Sequence, residues 1–454
     1  MLWSNYECKC ESVGPQALPG LKKQVEKILA VAKQQGASAC EVAVSVHQGL
    51  ATSVRQREVE TVEFNRDQGF SITVYHGQQK GSASTTVSGD AAITETVAAA
   101  LAIAKYASAD EFAGLADEQL MAREFPDLDL WHPWDLSPEQ AIELALECEA
   151  AAFATDARIS NADGSSVNSD VGCTVYGNSH GLIAGHAGTR HSISCVMIAQ
   201  ADGQMQRDYW YDYGRRGDLL TDAATIGRIA AERTVSRLGA RSVPTCDVPV
   251  LFAAELAGGL FGSLLGAIAG GSQYRNSSFL VGALGQTLFP EWLTLDERPL
   301  LQGGLSSSAF DGDGLATYAK PFIEKGVLCN YMLSTYSGRK LGMPSTANAG
   351  GARNVFVTHG NDDQAALLKK MGRGLLVTEL MGQGLNMVTG DYSRGAGGYW
   401  VENGEIQFPV QEVTIAGNMR DMFKQIVAVG NDLDRRGSIC TGSVLIERMK
   451  VAGS

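Results

Sequence analysis

Residues 248–271 read VPVLFAAELAGGLFGSLLGAIAGG, an apolar strand that runs into a helix whose single charged group is Glu255. Apolar side chains recur at helical spacing after Ala253, and six glycines interrupt the segment between Gly258 and Gly271. A membrane span needs about 18 uninterrupted apolar residues, which this segment lacks. We therefore predict a buried core helix with one carboxylate in its first turn, where the helix dipole stabilises it.

The composition around this segment is typical of a large globular protein. The chain has 454 residues, 44% of them hydrophobic, which is enough to bury cores in two or three domains. Its formal net charge of −13 repels phosphate backbones, so we expect no direct nucleic-acid partner. Neither a basic leader before an apolar run nor a membrane span is predicted, and we expect a cytoplasmic protein.

We predict an α+β fold from the order of helical and strand patterns along the chain. Amphipathic helices are predicted from Leu21 to Gly36 and from Asp90 to Tyr106, around an antiparallel meander. The meander is expected to use short strands at residues 51–55, 59–65, 70–76 and 81–86. The predicted domains are an N-terminal α+β domain at 20–108, an acidic connector at 109–136, a central α+β domain at 137–241 and a β-rich, glycine-rich C-terminal domain at 242–454.

Short sequence motifs predict where several helices and strands begin or end. Ser137 precedes Pro138 and can cap a helix, and the pair Asn403-Gly404 predicts a tight hairpin turn. Asn418 is expected to cap a late helix that buries residues up to Val427 and ends at Gly430. Gly-Asn-Ser-His-Gly at 177–181 resembles a hydrolase nucleophile elbow, but β-rich sequence follows where that motif needs a helix, so we interpret it as a turn.

The nine cysteines are odd in number and scattered, which favours reduced thiols over a disulfide framework. A metal site built from cysteines and histidines is a separate hypothesis. The histidines lack the four-residue spacing that places two imidazoles on one helix face, and no second cysteine pair completes four ligands. The candidates for such a site are Cys8, Cys10, His180, His186, His191 and Cys440.

Five blocks carry a family resemblance. They are GGSQYR at 270–275, SGRKLG at 337–342, the glycine-rich run at 377–395, WVENGE at 400–405 and VGND at 429–432. In order and spacing they resemble the PmbA branch, also called TldE, of the TldD/PmbA family. The similarity extends from about Leu21 onward, and it implies a TldD/PmbA-like fold.

The resemblance implies a two-chain cytoplasmic metalloprotease. In that family the TldD-like chain binds a zinc-type ion through His-Glu-x-x-x-His and a cysteine near its C-terminus, and the PmbA-like chain is its metal-free partner. On this sequence the motif falls on residues 254–259, which keep Glu255 but replace the two histidines with Ala254 and Gly259. Cys440 or Thr441 falls at the cysteine position. We therefore predict no catalytic residue, bound metal or cofactor in this chain.

Glu255 has two interpretations, a remnant kept for helix structure or a group that contacts the partner or the peptide; we favour the first. Six other polar groups lie among glycine-rich turns and form either one wall of a peptide cleft or ion pairs inside a loop-rich core. These cleft candidates are Arg275, Arg339, Lys340, Asp391, Ser393 and Arg394.

The leading hypothesis is a non-metal subunit that forms a heterodimer with a TldD-like protein and admits unfolded peptides; a homodimer in isolation is also open. By resemblance, the substrates include a microcin precursor and an antitoxin. The alternative hypothesis is a binding or regulatory protein without a proteolytic partner, for instance a modulator of DNA gyrase.

Overall fold

The computed structural model describes residues 13–453, and these form two compact units. Unit 1 comprises residues 13–235 together with Ala309–Ala316, and unit 2 comprises Ser236–Ser308 and residues 317–453. Both units combine helices with largely antiparallel sheets, so the predicted α+β fold class is confirmed. Cys8 and Cys10 lie outside the described residues.

Unit 1 is built on one six-stranded antiparallel sheet in the order β3-β2-β1-β4-β5-β6. Its strands are β1 Ala39–Arg55, β2 Glu58–His76, β3 Gln79–Thr85, β4 Ile159–Asn178, β5 Ile183–Ala201 and β6 Gln204–Gly214. Its helices are α1 Leu18–Gln34, α2 Asp90–Tyr106, α3 Pro138–Thr155 and α4 Ala223–Ser236, with 3-10 turns at Pro15–Ala17, Glu118–Leu120 and Gly217–Leu219.

The helices of unit 1 lie where the sequence predicts them, although α1 begins three residues earlier than predicted, at Leu18, and ends at Gln34. Ser137 caps α3 in a full capping box with Gln140, and α2 has the predicted bounds. The meander differs from the prediction of short strands, because β1 and β2 are continuous over 17 and 19 residues. Because β1 pairs with β4, strands from the predicted domains at 20–108 and 137–241 belong to one sheet. The predicted division of the chain into domains stays a prediction.

The turn between β1 and β2 is held by a carboxylate from another element. Gln56 and Arg57 both have positive φ, 52° and 66°, as a two-residue hairpin turn of this twist requires. Their backbone N–H groups donate to Glu149 of α3 at 2.9 and 2.7 Å, and Glu149 is fully buried. The long hairpin is thereby tied to α3 by charge-assisted hydrogen bonds.

One face of the unit 1 sheet is apolar and packs on α1 and α2. Val42, Val44 and Val46 of β1 alternate toward this core and join Val25 and Ile28 of α1. Successive strand residues point to opposite faces. The residues that alternate with the valines, from Glu41 to His47, therefore lie on the other face of the sheet.

Unit 2 contains two sheets, in the orders β10-β9-β8-β11-β16 and β14-β13-β12-β7-β17-β15. Its strands are β7 Cys246–Phe252, β8 Leu295–Glu297, β9 Lys320–Glu324, β10 Val327–Leu328, β11 Val355–Val357, β12 Gly374–Met381, β13 Asp391–Glu402, β14 Glu405–Asn418, β15 Ile426–Val429, β16 Ile439–Cys440 and β17 Val444–Ala452. Its helices are α5 Ala254–Ile268, α6 Gly270–Tyr274, α7 Thr335–Leu341, α8 Gln364–Met371 and α9 Met419–Lys424.

The larger sheet of unit 2 closes on itself, because β14 also pairs with β17. The ring runs β14, β13, β12, β7 and β17 and returns to β14. The hairpin between β13 and β14 turns at Asn403 and Gly404, whose φ values of 53° and 76° confirm the predicted turn. The helix after Asn418 is shorter than predicted, since it ends at Lys424 and Ile426 begins a strand.

The smaller sheet of unit 2 holds a buried ion pair. The side chains of Glu297 and Lys320, on β8 and β9, are 1% and 4% exposed and form a salt bridge. Glu297 also accepts hydrogen bonds from the Asn348 amide at 2.9 Å and from the backbone N–H of Arg353 at 2.6 Å. A buried charge requires such partners to offset its lost hydration.

No helix within residues 13–453 combines the length and the apolar character that a membrane crossing requires.

Candidate functional site

The motif helix α5 starts directly at the end of the central strand β7. The backbone N–H of Ala253 donates to Val377 of β12 at 3.0 Å, which fixes the junction of strand and helix. Glu255 is in the first turn of α5 and is half-buried, where the positive end of the helix dipole stabilises a carboxylate. Leu260, Phe261 and the apolar residues that follow are buried, as the sequence predicts for a core helix.

Two glycines of α5, Gly258 and Gly262, face the short strand β16. A Cβ built on Gly258 would lie 4.0 Å from the carbonyl oxygen of Ile439, and one on Gly262 would lie 3.8 Å from the Ile439 Cδ1. Cys440 follows directly and is buried, and burial raises the pKa of its thiol although Arg435 acts against this. The strand that carries the predicted cysteine-ligand position thus lies beside the motif helix.

The residues at the motif positions do not fit a metal ion. A catalytic zinc needs three protein ligands from His, Cys, Asp or Glu, and Ala254 and Gly259 supply no donor atom. Within residues 13–453, no group of three or more such side chains is arranged to hold a metal. We therefore derive no chemical step through a metal in this chain.

The three histidines proposed as metal ligands have separate surroundings. His180 follows β4 in a turn, while His186 and His191 are five residues apart on β5 and face opposite sides of the sheet. The His191 Nδ1 lies 3.0 Å from the Ser169 hydroxyl, and its Nε2 lies 2.9 Å from the carbonyl oxygen of His132. Both ring nitrogens of His191 are thereby engaged in hydrogen bonds.

Arg275 and Lys340, two of the cleft candidates, belong to one cluster with two tyrosines. The rings of Tyr274 and Tyr336 meet edge to face at 5.9 Å. The Arg275 guanidinium lies 5.2 Å from the Tyr274 ring centre, and the Lys340 ammonium lies 5.5 Å from that of Tyr336. Cation–π contacts of this kind position cations beside an apolar surface. We call these four residues the cation–tyrosine cluster.

Close packing of α6 on α7 holds the cation–tyrosine cluster together. A Cβ on Gly270 would lie 2.2 Å from the Ser337 hydroxyl, so only glycine permits this approach. Ser334 and Ser337 form a capping box at the start of α7. Arg339 lies on α7 next to Lys340. The two tyrosines were not predicted from the sequence, although Tyr274 directly precedes Arg275 and Tyr336 lies four residues before Lys340.

The remaining cleft candidates lie along β13. Asp391 accepts hydrogen bonds from the Thr389 hydroxyl at 2.7 Å and the Asn418 amide at 3.2 Å, and these bonds lower the pKa of Asp391. Ser393 is exposed on the same side of the strand as Asp391, and Arg394 is on the other side, where its guanidinium interacts with Tyr392. The candidates thus form two groups with different neighbours, and a shared cleft stays a prediction.

The chain is similar to known proteins of one family over most of its length. The PmbA/TldA metallopeptidase family matches it with three successive domains, domain 1 at residues 40–104, the central domain at 131–238 and the C-terminal domain at 245–453. The chain belongs to the PmbA/TldD metallopeptidase family. The family resemblance of the five sequence blocks is therefore confirmed.

Individual members of the PmbA/TldD family are similar over nearly the whole chain. The Metalloprotease PmbA of Escherichia coli O157:H7 is 52% identical over 94% of both chains. A Metalloprotease PmbA homolog of Haemophilus influenzae is 47% identical over 96% of both chains. Among solved structures, a protein of Bacteroides thetaiotaomicron described as a proposed modulator of DNA gyrase superposes with a TM-score of 0.91 at 25% identity, covering 95% of this chain and 99% of that one.

Proposed function

We propose that this chain is the subunit without a metal site in a cytoplasmic two-chain metallopeptidase that cleaves unfolded peptides. A TldD-like chain with His-Glu-x-x-x-His would bind the zinc-type ion and activate the water. This chain would supply half of the heterodimer interface and one wall of the peptide cleft. Membership of a metallopeptidase family together with the α5 sequence supports the proposal.

The observation that carries the proposal is that α5 is an intact helix without metal-binding side chains at its motif positions. The helix is present, follows β7 directly and packs into the core of unit 2, so the family framework is intact. Its ligand positions hold Ala254 and Gly259, and Glu255 without a metal-bound water has no proton to abstract from a nucleophile. We propose that Glu255 stabilises the first turn of α5 and takes no part in peptide cleavage.

The cleft wall in this proposal includes the cation–tyrosine cluster, defined above by Tyr274, Arg275, Tyr336 and Lys340. Half-buried aromatic rings with nearby cations suit an extended peptide, because the rings can contact side chains of any sequence and the cations can contact carbonyl or carboxylate oxygens. An extended peptide can in addition pair with a sheet edge through backbone hydrogen bonds, which also need no particular sequence. Both modes suit an unfolded substrate.

A reconstitution experiment tests the proposed function. This chain and a TldD-like chain from the same genome are purified separately and assayed for peptidase activity, alone and mixed, with the metal content of each determined. We expect the mixture to cleave an unfolded peptide, this chain alone to be inactive, and light scattering to show a one-to-one complex. Cleavage by this chain alone, free of the partner, would contradict the proposal.

Variants of each chain sharpen the reconstitution. Glu255→Gln in this chain should leave the activity of the mixture unchanged, whereas the same change at the partner's motif glutamate should abolish it. Replacing both Arg275 and Lys340 with Gln should raise the KM for a peptide without lowering kcat, because these groups bind the peptide and do not contact the reacting atoms.

A regulatory protein that acts without a proteolytic partner is the second candidate function. It is favoured by the description of the Bacteroides thetaiotaomicron structure as a proposed modulator of DNA gyrase. The reconstitution separates the two candidates. A mixture no more active than the TldD-like chain alone, combined with homodimers of this chain and no heterodimer, would favour the regulatory protein.

A further inference from the structure

A polar pocket lies on the face of the unit 1 sheet opposite α1 and α2. Its volume is about 500 Å³, within the range of small-molecule sites. All of its lining residues belong to β1, β2, β4, β5, β6 and the residues just after β6. The charged and titratable ones are His47, Asp67, Asp170, His186, Arg190, Tyr213 and Arg215.

Two glycines on neighbouring strands form the floor of this pocket. Gly172 of β4 pairs with Gly188 of β5, and Gly172 pairs on its other side with His47 of β1. A Cβ on Gly172 would lie 2.3 Å from the His47 Nδ1, and one on Gly188 would lie 3.0 Å from the Arg215 Nη1. The imidazole and the guanidinium therefore lie over the two glycines, one on each.

The two arginines of the pocket are neighbours. Arg190 lies on β5 at the pocket face. Arg215 is held by two hydrogen bonds to Thr189. The Arg215 Nη1 donates to the Thr189 carbonyl oxygen at 3.2 Å, and the Thr189 hydroxyl donates to the Arg215 carbonyl oxygen at 2.7 Å. Burial, together with the like charge of Arg190, lowers the pKa of Arg215 to about 10. A region where two guanidinium groups repel each other attracts an anion.

Carboxylates limit the charge that the pocket accepts. Asp170 is directly opposite Arg190 in the β4–β5 register, and Asp67 is opposite His47 in the β1–β2 register. Burial raises the pKa of Asp170, and the charges of His191, Arg190 and His47 act against this rise. With two arginines and two aspartates, the fixed charges cancel, so a singly charged ligand suits the pocket better than a doubly charged one.

We propose that this pocket binds the oxyanion of a small ligand, with the guanidinium groups of Arg190 and Arg215 as the charged donors and His47 and His186 at its sides. A guanidinium donates two parallel N–H groups to a carboxylate or a phosphate. The two sources of such an oxyanion are the C-terminal carboxylate of a short peptide and free phosphate, and the charge balance favours the peptide. The inference concerns unit 1 and stands independently of the proposed function.

Titration calorimetry of the full chain tests the proposal with three probes: a tripeptide of alanine with a free carboxylate, the same tripeptide with a C-terminal amide, and inorganic phosphate. We expect the acid to bind at least about tenfold more tightly than the amide, a difference of about 1.4 kcal/mol, with phosphate weaker than the acid. Binding of phosphate with neither peptide would identify phosphate as the source. Equal binding of acid and amide, or no binding of any probe at millimolar concentration, would overturn the proposal.

A pair of variants connects the binding to the pocket. Arg190→Gln removes one exposed guanidinium, and Arg66→Gln removes the same charge from β2 at a position between Asn65 and Asp67, on the opposite face. Arg190→Gln should weaken binding of the acid by about tenfold and Arg66→Gln should leave it unchanged. Equal losses in both variants would show a nonspecific charge effect and contradict the proposed site. Arg215→Lys, which keeps the charge but loses the planar fork, should weaken binding as well.

Discussion

On the sheet face of unit 1, the space beside Gly172 is occupied by the His47 imidazole, whereas beside Gly259 on α5 a Cβ would have no described atom within 4 Å. The strand glycine is thus a packing requirement, because another chain segment uses its space. The helix glycine leaves open space at the position where the resemblance predicts a metal ligand in a TldD-like chain. The two glycines therefore have different roles, and the atoms that surround each one determine whether glycine is required for packing.

The largest expected effect of this difference is at the strand glycine. Gly172→Ala would place a Cβ 2.3 Å from the His47 Nδ1 and 2.7 Å from the carbonyl oxygen of Val46, which cannot move without distorting β1. We expect the free energy of unfolding to fall by about 1 to 3 kcal/mol, measured by urea denaturation. Gly69→Ala on β2 is the control, because its Cβ would meet the Ser45 hydroxyl at an ordinary 3.6 Å. Equal losses at both positions would contradict the packing role of Gly172.

Substitution of Gly259, which has open space beside it, should change the free energy of unfolding in the opposite direction. Gly259→Ala should raise the free energy of unfolding by about 1 kcal/mol, since alanine is the better helix former and meets no neighbour. Gly266→Ala in the same helix should gain less, because its Cβ would lie 3.2 Å from the Cε of Met387. Thermal unfolding of the two variants checks the order. A loss of stability in Gly259→Ala would show that the space beside Gly259 is in use.

Glu41 extends the comparison from glycines to carboxylates. It accepts hydrogen bonds from the hydroxyls of Tyr75 and Tyr176 at 3.0 and 3.1 Å. Burial raises the pKa of Glu41 above its ordinary 4.5; Lys80 and the two tyrosines offset part of the rise, and Asp313 adds to it. The folded state therefore binds this proton more tightly than the unfolded chain does, and the stabilisation that this gives is lost as pH rises through the raised pKa.

The corresponding prediction is a pH-dependent difference between wild type and Glu41→Gln. The glutamine variant should become more stable relative to wild type as pH rises from about 4 to 7, because it cannot ionise. Urea denaturation at several pH values measures this difference. Glu63→Gln, at an exposed position of β2, should show no such trend. A constant difference across the pH range in Glu41→Gln would contradict the raised pKa.

The smallest effect is expected at Glu255. It is half-buried in the first turn of α5, where its proposed role is to interact with the helix dipole. Glu255→Gln should therefore reduce the free energy of unfolding by no more than about 1 kcal/mol. A loss well above this value, seen in urea denaturation, would show that the carboxylate makes a stronger contact than the dipole provides.

The sequence predicts those parts of the fold that depend on neighbouring residues. The capping box at Ser137 and the turn at Asn403-Gly404 are set by local backbone chemistry, and both are confirmed. The end of α9 is not set locally, because Ile426 fits an apolar helix face as well as a strand that pairs with β17. Likewise, glycines such as Gly49 interrupt the β pattern in β1, although cross-strand pairing carries the strand through them.

The same distinction applies to the candidate sites. The two positions on α5 where ligands are predicted to have been replaced lie within six consecutive residues, so the resemblance alone locates them. The sheet-face pocket depends on the registers that bring His47, Gly172 and Gly188 into one row, and no local pattern specifies registers between strands so far apart in the chain. The alternation of glycine with charged residues at 170–172 and 188–190 is the one signal that the sequence offers.

The closed ring of strands in unit 2 has a consequence for synthesis on the ribosome. Strand β7 ends at Phe252, while β17, which pairs with both β7 and β14, begins at Val444. At about 5 to 20 residues per second, translation takes about 10 to 40 s to make the chain between them. During that interval the edge of β7 that pairs with β17 is without its partner strand. Because unpaired strand edges promote aggregation, we expect nascent unit 2 to be the part of the chain that most needs a chaperone.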